Sequence, residues 1–182
     1  MSDSQRLPDS QRLARVLDEA ALKYLERFDA SIAKLRTLLL RKGRTLAPEG
    51  TSRDELEAAV TELVARYQRS GIVDDARFAE ASIRSLRQRG LGERAIVHRL
   101  SAKGVEAGTA REALGRVDAD QAEPELEAAL RFVRRRKLGP HRTTAVTAKE
   151  RRKDLQALAR AGFSYEVAQR ALGAEALDAD AF

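Results

Sequence analysis

Three glycines stand at nearly equal spacing in this chain, each four residues after a leucine. They close the segments Leu39-Leu40-Arg41-Lys42-Gly43, Leu100-Ser101-Ala102-Lys103-Gly104 and Leu158-Ala159-Arg160-Ala161-Gly162, and lie 61 and 58 residues apart. A glycine just beyond the last apolar position of a helix supplies the left-handed conformation that ends it without a Cβ penalty. The spacing therefore predicts three short helices, each closed on its glycine. Beyond Gly104 and Gly162 the correspondence continues without gaps through Val105/Phe163, Ala110/Ala168, Ala113/Ala171 and Leu114/Leu172. A longer helical stretch precedes each short helix and ends at Asp29-Ala30-Ser31, at Gly90-Leu91-Gly92 and at Gly139-Pro140. This reads as three copies of a three-helix unit, at 13–73, 74–122 and 123–173, with insertions at Thr45–Thr51 and Arg142–Val146. A flexible N-terminal tail is expected over 1–12 and an acidic C-terminal tail over 174–182. Units of this size bury too little apolar surface to be robust alone, so each is expected to lean on its neighbour in an elongated tandem array.

The apolar periodicity is helical throughout. Leu13, Val16, Leu17, Ala20, Ala21, Tyr24, Leu25 and Phe28 form one continuous helical stripe. Leu56, Ala59, Val60, Leu63, Val64 and Tyr67 form another, and Leu126, Ala129, Leu130 and Val133 a third. Ser52-Arg53-Asp54-Glu55 and Thr147-Ala148-Lys149-Glu150 have the form of capping boxes, and Pro124 suits a first helical position. No segment alternates with period two between turn signals. The expected class is all-α.

Composition removes several classes of function. With Cys 0 in 182 residues there is no disulfide framework, no cysteine-ligated zinc and no thiol catalysis. No apolar run approaches the roughly 18–20 residues of a membrane span, and Met1-Ser2-Asp3-Ser4-Gln5-Arg6 lacks a signal-peptide core. A cytoplasmic protein without a membrane partner is expected. The net charge of +6 is unevenly placed. Residues 1–83 balance at 14 basic and 14 acidic side chains, residues 84–103 carry +5, residues 104–130 carry −5 and residues 131–160 carry +9. Exposed charges farther apart than about 8–10 Å are largely screened from one another, so each block acts locally.

Two basic segments follow as the candidate interface. One holds Arg84, Arg87, Arg89 and Arg94; the other holds Arg131, Arg134, Arg135, Arg136 and Lys137, then Lys149, Arg151, Arg152 and Lys153. Arginines closing a helix complement its dipole, but Lys149 to Lys153 place positive charge in opening turns, where the dipole disfavours it. A partner that supplies negative charge would offset that cost. Sequence-specific DNA reading is disfavoured: the helix after Gly104 offers only Arg111 and Arg116 for base edges, and Tyr165 to Leu172 only Gln169 and Arg170. Stacking of single-stranded bases is also disfavoured, because Tyr24, Phe28 and Tyr67 fall on apolar stripes. Contact with phosphates or an acidic protein surface survives. His98 and His141 have no partners at triad or zinc spacing, and Gly90-Leu91-Gly92 is too short to cradle a phosphate. Asp74 and Asp75 are read as structural, Asp74 as an N-cap and Asp75 in the first turn, with Val73 and Phe78 as a hydrophobic staple. No catalytic residue, metal or cofactor is expected.

The segment Ile72-Val73-Asp74-Asp75-Ala76-Arg77-Phe78-Ala79 resembles the signature of the RecX family, bacterial regulators of the RecA recombinase. The resemblance continues through Gly92, Arg94, Ile96, Leu100, Lys103 and Gly104. It then takes in Lys149-x-Arg151-x-Lys153 and Gly162-Phe163-Ser164-Tyr165, so that it spans roughly residues 20–173. Arg99, Ala161 and the Thr45–Thr51 insertion depart from the family pattern. The structural signature residues are Asp74, Asp75, Phe78, Gly43, Gly104 and Gly162. The resemblance implies a monomeric, non-enzymatic regulator that lies in the groove of a RecA–single-stranded DNA filament and inhibits its ATPase, extension and strand exchange. Weak phosphate-backbone contact with DNA would accompany that role. The alternative is a helical architectural protein that binds DNA without sequence preference.

Overall fold

Helical periodicity and local caps produce the elements directly. The computed structural model describes residues 8–143 and 146–173. Among these, nine α-helices form and no strand: α1 Asp9–Leu25, α2 Ile32–Leu46, α3 Arg53–Arg69, α4 Asp75–Gln88, α5 Glu93–Ser101, α6 Ala107–Asp118, α7 Pro124–Arg136, α8 Ala148–Arg160 and α9 Tyr165–Ala171, with a single 3-10 turn at Gly139–His141. Both capping boxes form. Ser52 Oγ accepts from Glu55 N at 3.2 Å while Glu55 Oε2 accepts from Ser52 N at 2.8 Å; Thr147 and Glu150 do the same at 3.3 and 2.8 Å. The backbone N–H groups of Ser52 and Thr147 hold the two glutamates below the ordinary carboxylate range. Pro124 takes the first position of α7, as expected. Helix α1 begins at Asp9, directly after Pro8, so part of the expected N-terminal tail is helical. Residues 1–7 and the expected acidic tail at 174–182 lie outside the described residues.

Two of the three glycines end helices as expected, with φ of 83° at Gly104 and 93° at Gly162. At Gly162, Phe163 N donates to Leu158 O at 3.2 Å and Gly162 N to Ala159 O at 3.0 Å. Leu158 and Phe163 are buried in one core, the apolar contact that commonly accompanies this closure. Gly43 is different. It is a buried residue inside α2, which runs on to Leu46 and stops where Ala47 precedes Pro48. A Cβ on Gly43 would meet the Leu56 side chain, and its third-nearest neighbour would be Leu17 Cδ2 at 3.3 Å. Gly43 is therefore a packing glycine rather than a cap. The expected insertion at Thr45–Thr51 lengthens α2 before it forms a loop. Helix α7 ends at Arg136 on a left-handed Lys137 with φ of 53°, before the expected Gly139-Pro140 break.

The described chain divides into two compact units, the first comprising residues up to 78 with 103–105, the second comprising 79–102 and the residues from 106 onward. The first unit's core joins Leu13, Leu17 and Ala21 of α1, Leu35 and Leu39 of α2, and Val60, Leu63, Val64 and Tyr67 of α3. Phe28 does not extend the α1 stripe: it lies past the helix, 55% exposed, its ring 5.3 Å from that of Tyr24. The buried Tyr67 hydroxyl donates to Asp18 Oδ1 at 3.0 Å, and Arg66 also pairs with Asp18. Burial first, then the Asp18 carboxylate, push the Tyr67 phenol up to about 12.

The second unit's core holds Ala128, Ala129 and Val133 of α7, Leu158 of α8 and Phe163, Ala168, Ala171 and Leu172 around α9. Facing alanines on α7 and α9 leave little between the two helices, and Phe163 meets Phe132 edge-on at 6.1 Å. The α7 stripe is rotated from the one expected, with Ala128 buried and Leu130 42% exposed. The cause is the α4–α5 turn. A Cβ on Gly90 would lie 2.8 Å from Phe132 N and 2.9 Å from Ala128 O, so this backbone covers the Ala128 side of α7. Every one of the aligned residues Val105/Phe163, Ala110/Ala168, Ala113/Ala171 and Leu114/Leu172 is buried.

One arrangement occurs in both units at the start of a middle helix. In the first, Ser31 Oγ donates to Lys103 O beside Gly104, and Ile32 N donates to Asp75 Oδ1 at 2.8 Å. In the second, Gly92 N donates to Ala161 O beside Gly162 at 2.8 Å, and Glu93 N donates to Glu125 Oε1 at 3.0 Å. Each helix start thus receives a backbone carbonyl and a carboxylate from residues distant in sequence.

Gly92→Ala, whose Cβ would fall 2.5 Å from the Gly162 carbonyl carbon, is expected to destabilise the protein by about 1–3 kcal/mol in urea unfolding. Gly115→Ala, in α6 with no atom within 4 Å of its Cβ, is expected to stabilise it by about 0.5–1 kcal/mol. Stability supplied by Tyr67 is complete below the ordinary tyrosine range and is lost as pH rises from about 10 toward 12, because the unfolded phenol ionises first. Absorbance of tyrosinate should show a step near pH 12 that Tyr67→Phe abolishes.

Candidate functional site

Asp74, Asp75, Phe78 and Gly104 are occupied within the first unit's own frame. Asp74 Oδ1 accepts from Ala76 N at 2.7 Å and Arg77 N at 3.1 Å, the N-cap expected of it. Asp75 does more than complement its own helix dipole, because its carboxylate reaches Ile32 N of α2. Arg77 Nη2 donates to the carbonyls of Gly71 and Ile72 at 3.0 and 3.2 Å. Val73 is buried and Phe78 half-buried, the latter with the Lys103 ammonium 5.3 Å from its ring centroid. With φ of 83°, Gly104 lies against Ala33, and a Cβ there would strike Ala33 Cβ. The motif is a structural joint. Among the described residues, no cluster of three or more histidine or acidic side chains is placed to hold a metal ion.

The basic candidates separate into buried and exposed sets. Arg87 leaves the interface: it is 6% exposed, its Nη2 donating to Asp118 Oδ2 at 2.6 Å and its Nη1 to Leu91 O at 3.2 Å and to Glu125. Burial works to lower its pKa, but the hydrogen bonds and charges of Asp118 and Glu125 more than offset this and raise it above the usual arginine value. The helical register put Arg87 on the face of Ile83 and Leu86, a signal that the count of charges along the chain hid. Arg84 is exposed and paired with Glu80 at 3.4 Å, which also holds Arg116 at 2.8 Å. Arg89 and Arg94 are exposed.

The second basic segment is divided between the end of one helix and the start of the next. Arg134, Arg135, Arg136 and Lys137 are exposed at the end of α7; Lys149, Arg152 and Lys153 are exposed and Arg151 half-buried at the start of α8. Arg131 is half-buried, 3.7 Å from Glu127, with no acceptor for its buried Nε. Asp154, 1% exposed, ties the connection after α7 to α8 by accepting from Gly139 N at 2.9 Å and from Arg142 Nε at 3.1 Å. The first of these contacts holds the α7 end against α8, one residue from Lys153. Its hydrogen bonds to Arg142 raise the guanidinium pKa above the ordinary value. An acid directly after a run of cations, Arg151-Arg152-Lys153-Asp154, was the sequence signal for this clamp. Beside it opens a cleft of about 360 Å³, lined by Pro140, Val146, Ala148, Arg151, Asp154 and Leu172 among others. The aromatic reading also changes, because Tyr165 is 66% exposed and Phe28 55% exposed.

Arg87→Ala would strand two carboxylates whose side chains are 11% and 26% exposed, and it is expected to cost about 3–5 kcal/mol in chemical unfolding. Arg89→Ala is expected to change stability by less than about 0.5 kcal/mol in the same measurement.

Comparison with known proteins places this arrangement in a family. The family model described as RecX, second three-helix domain, matches residues 74–114. A Regulatory protein RecX of Myxococcus xanthus is 39% identical over 158 residues, which covers 86% of this chain and 83% of that protein. One of Agrobacterium fabrum is 28% identical over 170 residues, covering 93% and 89%. Among solved structures, RecX from Lactobacillus salivarius matches with a TM-score of 0.67 at 20% identity, over 91% of this chain and 97% of that one, a likeness of fold. The helical architecture, the joint built on Asp74 and Asp75 and the relatives agree, and the chain belongs to the RecX family of regulatory proteins.

Proposed function

We propose that this protein binds a RecA–single-stranded DNA filament in the cytoplasm and restrains it, inhibiting ATPase activity, filament extension and strand exchange and so regulating recombination and DNA repair. It does so as a monomer and without catalysis of its own. The observation that carries the reading is the set of exposed cations at the end of α7 and the start of α8, against which no acidic side chain stands among the described residues. Three-helix repeats over 13–73, 74–122 and 123–173 suit an extended partner, because contacts that are weak one at a time gain avidity when several engage together. Arg84, Arg89 and Arg94 supply a second, smaller basic set. A second reading, a helical protein binding DNA without sequence preference, is favoured by the exposed Tyr165 ring in the same unit as these cations.

The two readings differ in what they require. Substoichiometric protein should suppress DNA-dependent recombinase ATPase while binding naked single-stranded DNA weakly, with a shallow dependence on salt. Tight, steeply salt-dependent binding to naked DNA without effect on the recombinase would sustain the second reading. Reversing charge at Arg135, Arg136, Arg151 and Lys153 should raise the concentration needed for half-inhibition by about tenfold or more, with helicity by circular dichroism unchanged. Inhibition that survives the reversal would show these residues to be ordinary solvated surface.

A further inference from the structure

We propose that the cleft beside the start of α8 is a docking site for an acidic polypeptide segment carrying aliphatic side chains. The inference deepens the reading of the basic surface as a partner interface by naming the partner's chemistry there. Its first support is the arrangement found twice within the chain. The start of α2 receives Lys103 O and the Asp75 carboxylate, and the start of α5 receives Ala161 O and the Glu125 carboxylate. In both places a middle helix is met by polypeptide bearing a carboxylate. Helix α8 holds the same position in its repeat, yet among the described residues nothing comparable comes to it, and Thr147 and Glu150 close on each other.

The surface itself, rather than the capped amides of the helix, defines the occupant. Pro140, Val146, Ala148 and Leu172 give the cleft an aliphatic lining, and Val146 is 44% exposed. No aromatic ring lines it, so a nucleobase finds no stacking surface there, whereas a leucine or valine side chain finds apolar contact. Arg151 lines the cleft, Lys149, Arg152 and Lys153 stand exposed on the same turns, and Asp154 holds the α7 end beside them. Both local acids are spent internally, Glu150 on Thr147 and Asp154 on Gly139 and Arg142. Arg151 is the cation of the lining, and among the described residues no carboxylate pairs with it. Carboxylates match guanidinium groups in paired hydrogen bonds. An aliphatic lining beside the Arg151 guanidinium therefore fits an acidic peptide better than a phosphodiester chain.

The test uses the full chain and three fluorescent probes: a peptide of Glu and Asp interspersed with Leu, the same peptide with each Leu replaced by Ser, and an oligothymidylate. The leucine peptide should bind at least about tenfold more tightly than the serine peptide. Val146→Asp, a change at an exposed position, should remove that difference while leaving oligothymidylate binding unchanged. Ala148→Glu, also exposed, provides a second disruption with the fold checked by circular dichroism. Equal binding of the two peptides would overturn the proposal. So would retention of leucine preference in both variants, or loss of oligothymidylate binding in them, which would make the cleft a nucleic-acid site. Recombinase inhibition measured alongside separates the readings. Failure to inhibit with leucine preference intact sinks the filament function alone; inhibition without that preference sinks the docking site alone.

Discussion

The start of a middle helix is the constraint on which the architecture turns. Its first N–H groups have no partner within the helix, and in α2 and α5 they are satisfied from far along the chain. Ile32 donates to Asp75, 43 residues away, and Glu93 to Glu125, 32 residues away. Each helix also supplies a donor to the carbonyl just before a left-handed glycine. These glycines therefore do two things at once. They turn the chain out of one helix, and by lacking a Cβ they allow another helix start to approach. A Cβ on Gly162 would lie 2.6 Å from Ala95 Cβ, so neither function survives a larger residue. The repeat in sequence is the trace of this repeated contact.

Charge is divided just as sharply between frame and surface. Arg87 and Asp154 are buried and fully engaged, one joining the end of α6 to the start of α7, the other holding the α7–α8 connection. Buried pairs of this kind are costly to desolvate, and removing one partner costs more than the intact pair contributes. They fix which segments meet. By consuming the local acids, the Asp154 clamp and the Glu150 cap also leave Lys149, Arg151, Arg152 and Lys153 without an acidic partner among the described residues. A structural requirement thus produces the positive surface on which a regulatory role can rest.

Much of this was legible in the sequence. Helical stripes located the elements, both capping boxes formed where Ser52 and Thr147 predicted them, and the alignment of Val105 with Phe163 and Leu114 with Leu172 identified equivalent buried positions. The misreadings share one cause. Gly43 looks like Gly104 and Gly162 in its local sequence, but Leu17 and Leu56 crowd it and no turn follows until Pro48. Phe28 continues a periodic pattern beyond the point where the helix has ended. Arg87 sits among surface arginines in the chain and among carboxylates in space. Local pattern carries no information about what another segment brings to the same point.

Sequence by itself determined the helical class, the capping boxes and the signature that ties Asp74 and Asp75 to a family, because each depends on residues within a few turns of one another. Only the tertiary structure decided which charges are free. That choice depends on carboxylates arriving from other helices: Asp118 and Glu125 take Arg87 inward, while among the described residues no carboxylate pairs with Arg134 to Lys137 or with Lys149, Arg151, Arg152 and Lys153. The proposed interface is the charge left over once the fold has satisfied its own helix ends.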